Sequence, residues 1–292
     1  MSIYLSGASG FVGKNLISFI DNKLPVQSHV RGSDFFINEK IVIHLAGKAH
    51  DLKKTANSDE YYKINTELTK NIFDSFLISD AKVFITLSSV KAVADSVDEL
   101  LTEKHVPDPK THYGKSKLLA EKYILSQQIP PGKRVFILRP CMIHGPGNKG
   151  NLNILYKLVS KGVFWPLGSF NNKRSFCSID NLLFVINELI ERDDISSGVY
   201  NVSDDDAIST NEIIKLIAQF QNKKTRILNV SKKIIFLFSK LGDKLNLPLN
   251  SERLHKLTES YLVSNLKIKD AIGKPFPIKC KQGLLKTFKA FQ

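Results

Sequence analysis

Ser2-Ile3-Tyr4-Leu5-Ser6-Gly7-Ala8-Ser9-Gly10-Phe11-Val12-Gly13-Lys14-Asn15-Leu16-Ile17-Ser18-Phe19-Ile20 is the stretch that decides the fold. Ser2 to Ser6 reads as a short strand with apolar residues on both faces. Gly7 to Gly13 is a glycine-rich turn, and the apolar spacing from Lys14 to Ile20 is helical. Strand, turn and helix N-terminus in that order make a phosphate seat. Gly7 permits the tight turn, Gly10 lets a pyrophosphate approach bare backbone, and Gly13 lets the helix pack close to the strand. Free N–H groups and the positive end of the helix dipole then face the anion. Three glycines alone also describe an empty turn; the flanking strand and helix are the confirming context.

Outward from this unit, Pro25 to Arg31 is the expected second strand. Its end is where a nucleotide-binding sheet reads the adenine ribose, about twenty residues past the fingerprint. An acid there accepts from a 2′-hydroxyl; Arg31 accommodates a 2′-phosphate, so NADP is favoured and NAD is the alternative. Ile41-Val42-Ile43-His44-Leu45-Ala46-Gly47 is apolar and β-branched and predicts a buried parallel strand. The gap after Arg31 is too short for a helical crossover plus another strand, so a trimmed sheet edge is expected.

Asp59 to Ser79 predicts a helix with an apolar stripe that includes Tyr62, Leu68, Ile72 and Phe76. Lys82 to Ser89 predicts the next strand, with the Ser88 and Ser89 hydroxyls at the end where such sheets bind ligands. Tyr113-Gly114-Lys115-Ser116-Lys117 opens another helix and puts Tyr113 and Lys117 on one face. An ammonium there favours the phenolate and lowers the phenol pKa from about 10 toward neutrality. That supplies a proton donor or acceptor at working pH. Lys133 to Pro140 is a further strand.

The Gly-x-x-Gly-x-x-Gly turn, the Ser-Ser strand end and the Tyr-x-x-x-Lys helix together resemble the extended short-chain dehydrogenase/reductases. That branch holds the NAD-dependent epimerase/dehydratase enzymes. The resemblance implies an α/β fold: a Rossmann-type doubly wound parallel sheet with a smaller α+β C-terminal substrate lobe. Residues 1–145 and 171–203 would form the dinucleotide domain, and 146–170 and 204–292 the lobe. It further implies Ser89, Tyr113 and Lys117 as the catalytic set, with Ser89 preferred over Ser88. The implied cofactor residues are Gly7, Ser9, Gly10, Phe11, Val12, Gly13, Arg31, Leu45, Ala46, Gly47, Lys117 and Pro140. On the substrate side it implies Ser89, Asn151 and Arg174, the arginine clamping a diphosphate with its planar fork. Asn65 is implied as support for the central strands. The long faces of Asp59–Ser79 and Tyr113–Gln128 resemble a four-helix dimer interface, so a homodimer is expected.

Bulk properties bound the alternatives. The 292 residues, 42% hydrophobic and 24% charged, describe an ordinary globular chain able to bury a core. Cys141, Cys177 and Cys280 are far apart in sequence, without metal or redox spacing; a reduced cytoplasmic setting and no bound metal are expected. Asp204-Asp205-Asp206 reads as a turn. The net charge of +14 is spread without aromatic interleaving, which favours a solvated basic surface over a nucleic-acid binder. Ile234 to Phe238 is too short to span a bilayer and is flanked by lysines, so no membrane insertion is expected.

By this resemblance the reaction is oxidation or reduction of one carbon of a UDP-sugar, with Tyr113 moving the proton. Sugar 4,6-dehydratases carry an Asp-Glu pair just after the catalytic hydroxyl, where this chain has Val90 and Lys91. That disfavours dehydration. A 4-keto reductase acting on a UDP-4-keto-6-deoxy-hexosamine in surface-polysaccharide synthesis is the first reading. It resembles the branch of the UDP-N-acetylquinovosamine 4-reductases. A UDP-hexose 4-epimerase with tightly held NAD is the alternative. A non-catalytic NADPH-binding regulator on the same scaffold is more remote, since it need not keep Ser89, Tyr113 and Lys117.

Overall fold

The computed structural model describes residues 1–20, 23–30, 32–49, 57–148, 150–224, 226–245 and 250–292. β1 (Ile3–Ser6) is buried throughout and turns through the glycines into α1 (Phe11–Ile20). β2 (Val26–Ser28) pairs with one side of β1, and β3 (Ile41–His44) with the other, Ser6 lying opposite His44. α2 (Ser58–Tyr62), a π-helical turn (Lys63–Glu67) and α3 (Leu68–Ile78) follow as one continuous helical run. β4 (Val83–Leu87) leads through a 3₁₀ turn (Val90–Ala92) to α4 (His112–Ser126) and β5 (Arg134–Pro140). β6 (Met142–His144), α5 (Asn151–Ser160), β7 (Phe176–Ser178), α6 (Ile179–Glu191) and β8 (Gly198–Val202) come next. The remainder is helical: α7 (Thr210–Phe220), α8 (Lys232–Leu245), α9 (Ser251–Thr258), α10 (Leu266–Ile272) and α11 (Cys280–Lys289).

The main sheet is parallel, in the order β2-β1-β3-β4-β5-β8. Strand order reverses at β1, the switch point at which doubly wound sheets bind ligands. Side chains alternate between two cores, as the pleat requires. Ile3, Leu5, Ile41, Ile43, Ile85 and Leu138 face α1 and α6, while Tyr4, Val42, Phe84 and Ile137 face α3 and α4. A third core, with Tyr156, Trp165, Ile217 and Phe288, holds the lobe together beside the two-stranded β6–β7 sheet. Tyr261, Val263, Ile268 and Ile272, from the stretch expected in the lobe, pack instead into the sheet-side core.

The edge of the sheet is trimmed. β2 ends it with three residues, and among the described residues neither strand nor helix lies between β2 and β3. The connection plugs the gap with side chains. Ile37 is buried beside Tyr4 and Val42, and the His29 ring stacks on Phe35 at 5.0 Å. The Tyr4 hydroxyl bonds His29 Nδ1 at 2.7 Å. Ser209 caps α7 in a capping box with Glu212, and the next residue, Thr210, donates to the Leu257 carbonyl at 2.9 Å. No helix among the described residues is long and apolar enough to cross a membrane.

Candidate active site

The C-terminal ends of β1, β3 and β4 meet at the switch point. Gly7 has φ +80°, and a Cβ there would stand 2.5 Å from the Ala46 nitrogen, so the glycine turn is pressed against the end of β3. A Cβ on Gly13 would lie 2.2 Å from the Gly7 carbonyl oxygen; only glycine lets α1 start this close to β1. Gly10 donates its N–H to Gly7 at 3.0 Å, closing the turn. Ser9 and Gly10 are exposed, and Phe11 and Val12, half-buried, open the helix with N–H groups that helical geometry leaves without an intrahelical acceptor. A cradle of bare backbone, open to solvent and at the positive end of α1, fits a dinucleotide's pyrophosphate. Leu45, Ala46 and Gly47 run directly beneath it, and Pro140 ends β5 two strands away. Arg31 lies outside the described residues.

A second line of contacts reaches Lys117, Ser89 and Tyr113. A Cβ on Gly47 would be 3.1 Å from Lys117 Nζ, and that ammonium donates to the Leu87 carbonyl at 2.9 Å. Past Leu87 the chain turns, and the Ser89 hydroxyl accepts from the Lys91 N–H at 3.2 Å and hydrogen-bonds the Tyr113 side chain. Ser88 points elsewhere, bonded to buried Glu121. Glu121 in turn holds Arg139 through Nε at 2.9 Å, a buried pair that fixes α4 to β5.

Two features that hold this geometry escaped the sequence reading. Gly114 lets the 3₁₀ turn ride against α4: a Cβ there would meet the Lys91 carbonyl oxygen at 2.3 Å. Its signal in the sequence is a glycine inside a helix's first turn, a costly choice without a packing reason. The π-helical turn is the other. It carries Asn65, whose carboxamide accepts from the Lys48 N–H at 2.8 Å and donates to Ser116 Oγ at 3.0 Å. The neighbouring Thr66 donates to the Ser116 carbonyl at 2.8 Å. Asn65 thus braces the loop after β3 and the helix carrying Tyr113 and Lys117. A π-turn is invisible to a period of 3.6 and recurs at functional sites.

The electrostatics differ from expectation. Burial raises the Tyr113 phenol above its ordinary range, Ser89's hydrogen bond pulls it part of the way back, and Tyr61 adds to the rise. The Lys117 ammonium donates to the Leu87 carbonyl at 2.9 Å and lies beside Gly47. Lys117 itself is pushed down to about 8 by burial, against the opposing pull of Glu121. The phenol is therefore a protonated donor at neutral pH in the protein alone.

Arg174, expected on the substrate side, bridges two chain segments through its backbone and donates from Nη1 to the Lys256 carbonyl. Burial lowers its pKa while Glu259 raises it. Lys91 lies over the Tyr261 ring at 4.2 Å; burial lowers its pKa, the acids Glu259 and Asp95 oppose that, and the cations Arg174 and Lys256 add to it. Asn151 opens α5, but its side chain lies outside the described atoms. Three residues remote in sequence also come together: buried donors of His144, Asp204 and Cys280 lie within 4.8 Å of one another. Asp204 accepts from the Ser178 N–H at 2.8 Å and the Asn181 amide at 2.7 Å, and faces His144 at 3.5 Å. The group thereby ties β6, β7 and α11 together.

The sequence profile described as the NAD dependent epimerase/dehydratase family matches residues 33–203. A curated relative, the UDP-glucose 4-epimerase of Vibrio cholerae, is 32% identical across 99% of this chain and 95% of its own length. The chain belongs to the NAD-dependent epimerase/dehydratase family. It is similar, at 29% identity over 76% of its length and 73% of the relative's, to an N-acetyl-alpha-D-glucosaminyl-diphospho-ditrans,octacis-undecaprenol 4-epimerase of Escherichia coli O157:H7. Among solved structures, RMD from Pseudomonas aeruginosa complexed with NADPH superposes with a TM-score of 0.75, covering 100% of this chain and 99% of that one at 21% identity. The fold is thus that of the extended short-chain enzymes. As a family member the chain is an NAD(P)-dependent sugar-nucleotide epimerase or reductase.

Proposed function

We propose that this enzyme is a 4-keto reductase acting on a UDP-4-keto-6-deoxy-hexosamine in surface-polysaccharide synthesis, with NADPH as reductant. The observation that carries it is the trimmed edge. β2 is short and exposed, and a side-chain plug stands where a further strand would flank the adenine side. A hold weakened there suits a cofactor exchanged at each turnover better than one retained. A bound nicotinamide supplies the hydride at the sugar carbon. Tyr113 gives its proton to the oxygen, and Ser89 orients that oxygen and stabilises charge as it develops. Lys117, beside Gly47, would hold the nicotinamide ribose. Val90 is buried in the core and Lys91 lies over Tyr261, so neither offers the acid a dehydratase needs. Arg174 would clamp the diphosphate, with Asn151 opening the neighbouring helix.

The 4-epimerase is the second reading, favoured by the two curated relatives just described. A paired assay separates them. One tube holds a UDP-4-keto-6-deoxy-hexosamine with NADPH; the other holds UDP-hexoses without added cofactor. Turnover in the first alone supports the reductase, and turnover in the second alone reverses the order. In whichever tube reacts, Tyr113→Phe is expected to lower kcat by about 10²–10⁴-fold while the protein still binds cofactor in a fluorescence titration. Unchanged turnover removes Tyr113 from the mechanism.

A further inference from the structure

α8 presents an apolar stripe that no other described element covers. The helix turns Ile235, Ser239 and Gly242 inward, and Ile235 joins the lobe core. Ile234, Leu237, Phe238, Leu241 and Leu245 are all exposed, Leu237 by 69% and Leu245 by 60%. At helical spacing these five positions fall within about 100° of the circumference. Scattered exposed apolar residues are ordinary, but an aligned row of five is an interaction surface. Lys233, Lys240 and Lys244 project along one flank of that row by the same spacing. Asp243, the acid of this helix, is turned to α9, where it accepts from the Ser251 N–H at 2.9 Å.

We propose that α8 docks the enzyme on an anionic lipid surface. The apolar row enters the boundary between headgroups and acyl chains, and the lysine row meets the acidic headgroups. This is the pattern of an interfacial amphipathic helix. Fourteen residues of helix are too few to span a bilayer, so the helix lies on the surface and does not cross it. The lysine row argues against an antiparallel second copy as occupant, because stacking two such faces antiparallel brings the lysine rows together. The chain's net charge of +14 acts in the same direction as the lysines. The surface is independent of which nucleotide sugar is turned over.

The test is co-sedimentation of the full chain with vesicles. One set is phosphatidylcholine alone and the other is equal parts phosphatidylcholine and phosphatidylglycerol. The protein is expected to pellet with the second set and stay in solution with the first, and added salt should release it. Leu237→Asp with Leu241→Asp is expected to lower the bound fraction at least about tenfold, at an unchanged circular dichroism spectrum. Lys240→Glu with Lys244→Glu, which leaves the apolar row intact, should do the same. Protein that stays in solution with both vesicle sets, or variants that pellet like the parent, overturns the proposal. So does a molecular mass by light scattering that falls on Leu237→Asp, since the row then covers a second copy.

Discussion

Gly114 shows how one missing carbon can set the position of a neighbouring side chain, here Tyr113. The 3₁₀ turn after Ser89 lies so close to α4 that the Lys91 carbonyl oxygen occupies the space of a Cβ. An alanine there must push turn and helix apart, and the Ser89–Tyr113 hydrogen bond spans that seam. Gly114→Ala is expected to destabilise the fold by about 1–3 kcal/mol, read from urea unfolding, and to lower kcat more than it raises KM. A variant with parental stability and turnover would show that the seam relaxes freely. The choice between two adjacent serines also belongs to this scale. Ser88 is held by Glu121, itself paired with Arg139, inside the protein, whereas Ser89 meets the phenol. Sequence spacing makes both equal; the family resemblance prefers Ser89, and their partners separate them physically.

At the scale of elements, β1, β3 and the helix behind them are joined by a buried chain of hydrogen bonds. The Thr69 hydroxyl donates to the Asn65 carbonyl at 2.8 Å, so its oxygen is left to accept from His44 Nε2 at 2.9 Å. His44 Nδ1 then accepts from Ser6 at 2.6 Å, and Ser6 Oγ accepts from the Ala46 N–H at 3.4 Å. His44 is neutral in this arrangement. Burial, with Lys117 and His29 nearby, pushes its pKa down to about 3. Unfolded, the ring titrates near 6.5. Between those values the unfolded chain binds the extra proton, so His44 supports stability above about pH 6.5 and loses it as pH falls toward 3. The folded protein should lose up to about 1.4 kcal/mol per pH unit from this group in that window, and His44→Gln should flatten the slope. Urea midpoints of both proteins across the window measure it. Equal slopes would place the acid sensitivity elsewhere.

At the scale of the whole molecule, the switch point lies between two cores, and the lobe is fastened beside it. Thr287 donates to the Gly283 carbonyl at 2.9 Å and accepts from His144 Nδ1 at 3.0 Å, so α11 is locked to β6. The three free cysteines are buried around Asp204, and burial raises each thiol, which makes them inert packing. α3 and α4 pack side by side and leave Ile78, Leu119 and Leu125 exposed. A homodimer through these helices is expected, with Leu119→Asp plus Leu125→Asp giving monomers. Light scattering that finds the parent already monomeric overturns that assembly.

Local patterns in the chain were enough to reveal β1 to β5, the glycine turn and the helix shared by Tyr113 and Lys117, whereas the three-residue strands β6 and β7 escaped them. Alternation, helical spacing and turn chemistry are properties of neighbours along the backbone. The trimmed edge was legible too, because the chain between Arg31 and Ile41 is too short for another strand and crossover. The raised Tyr113 phenol, the π-turn at Asn65, the seam at Gly114 and the gathering of His144, Asp204 and Cys280 were decided only by the tertiary structure. Each depends on which groups from distant segments share a dry interior, where desolvation and hydrogen-bond partners, not sequence spacing, set the energies.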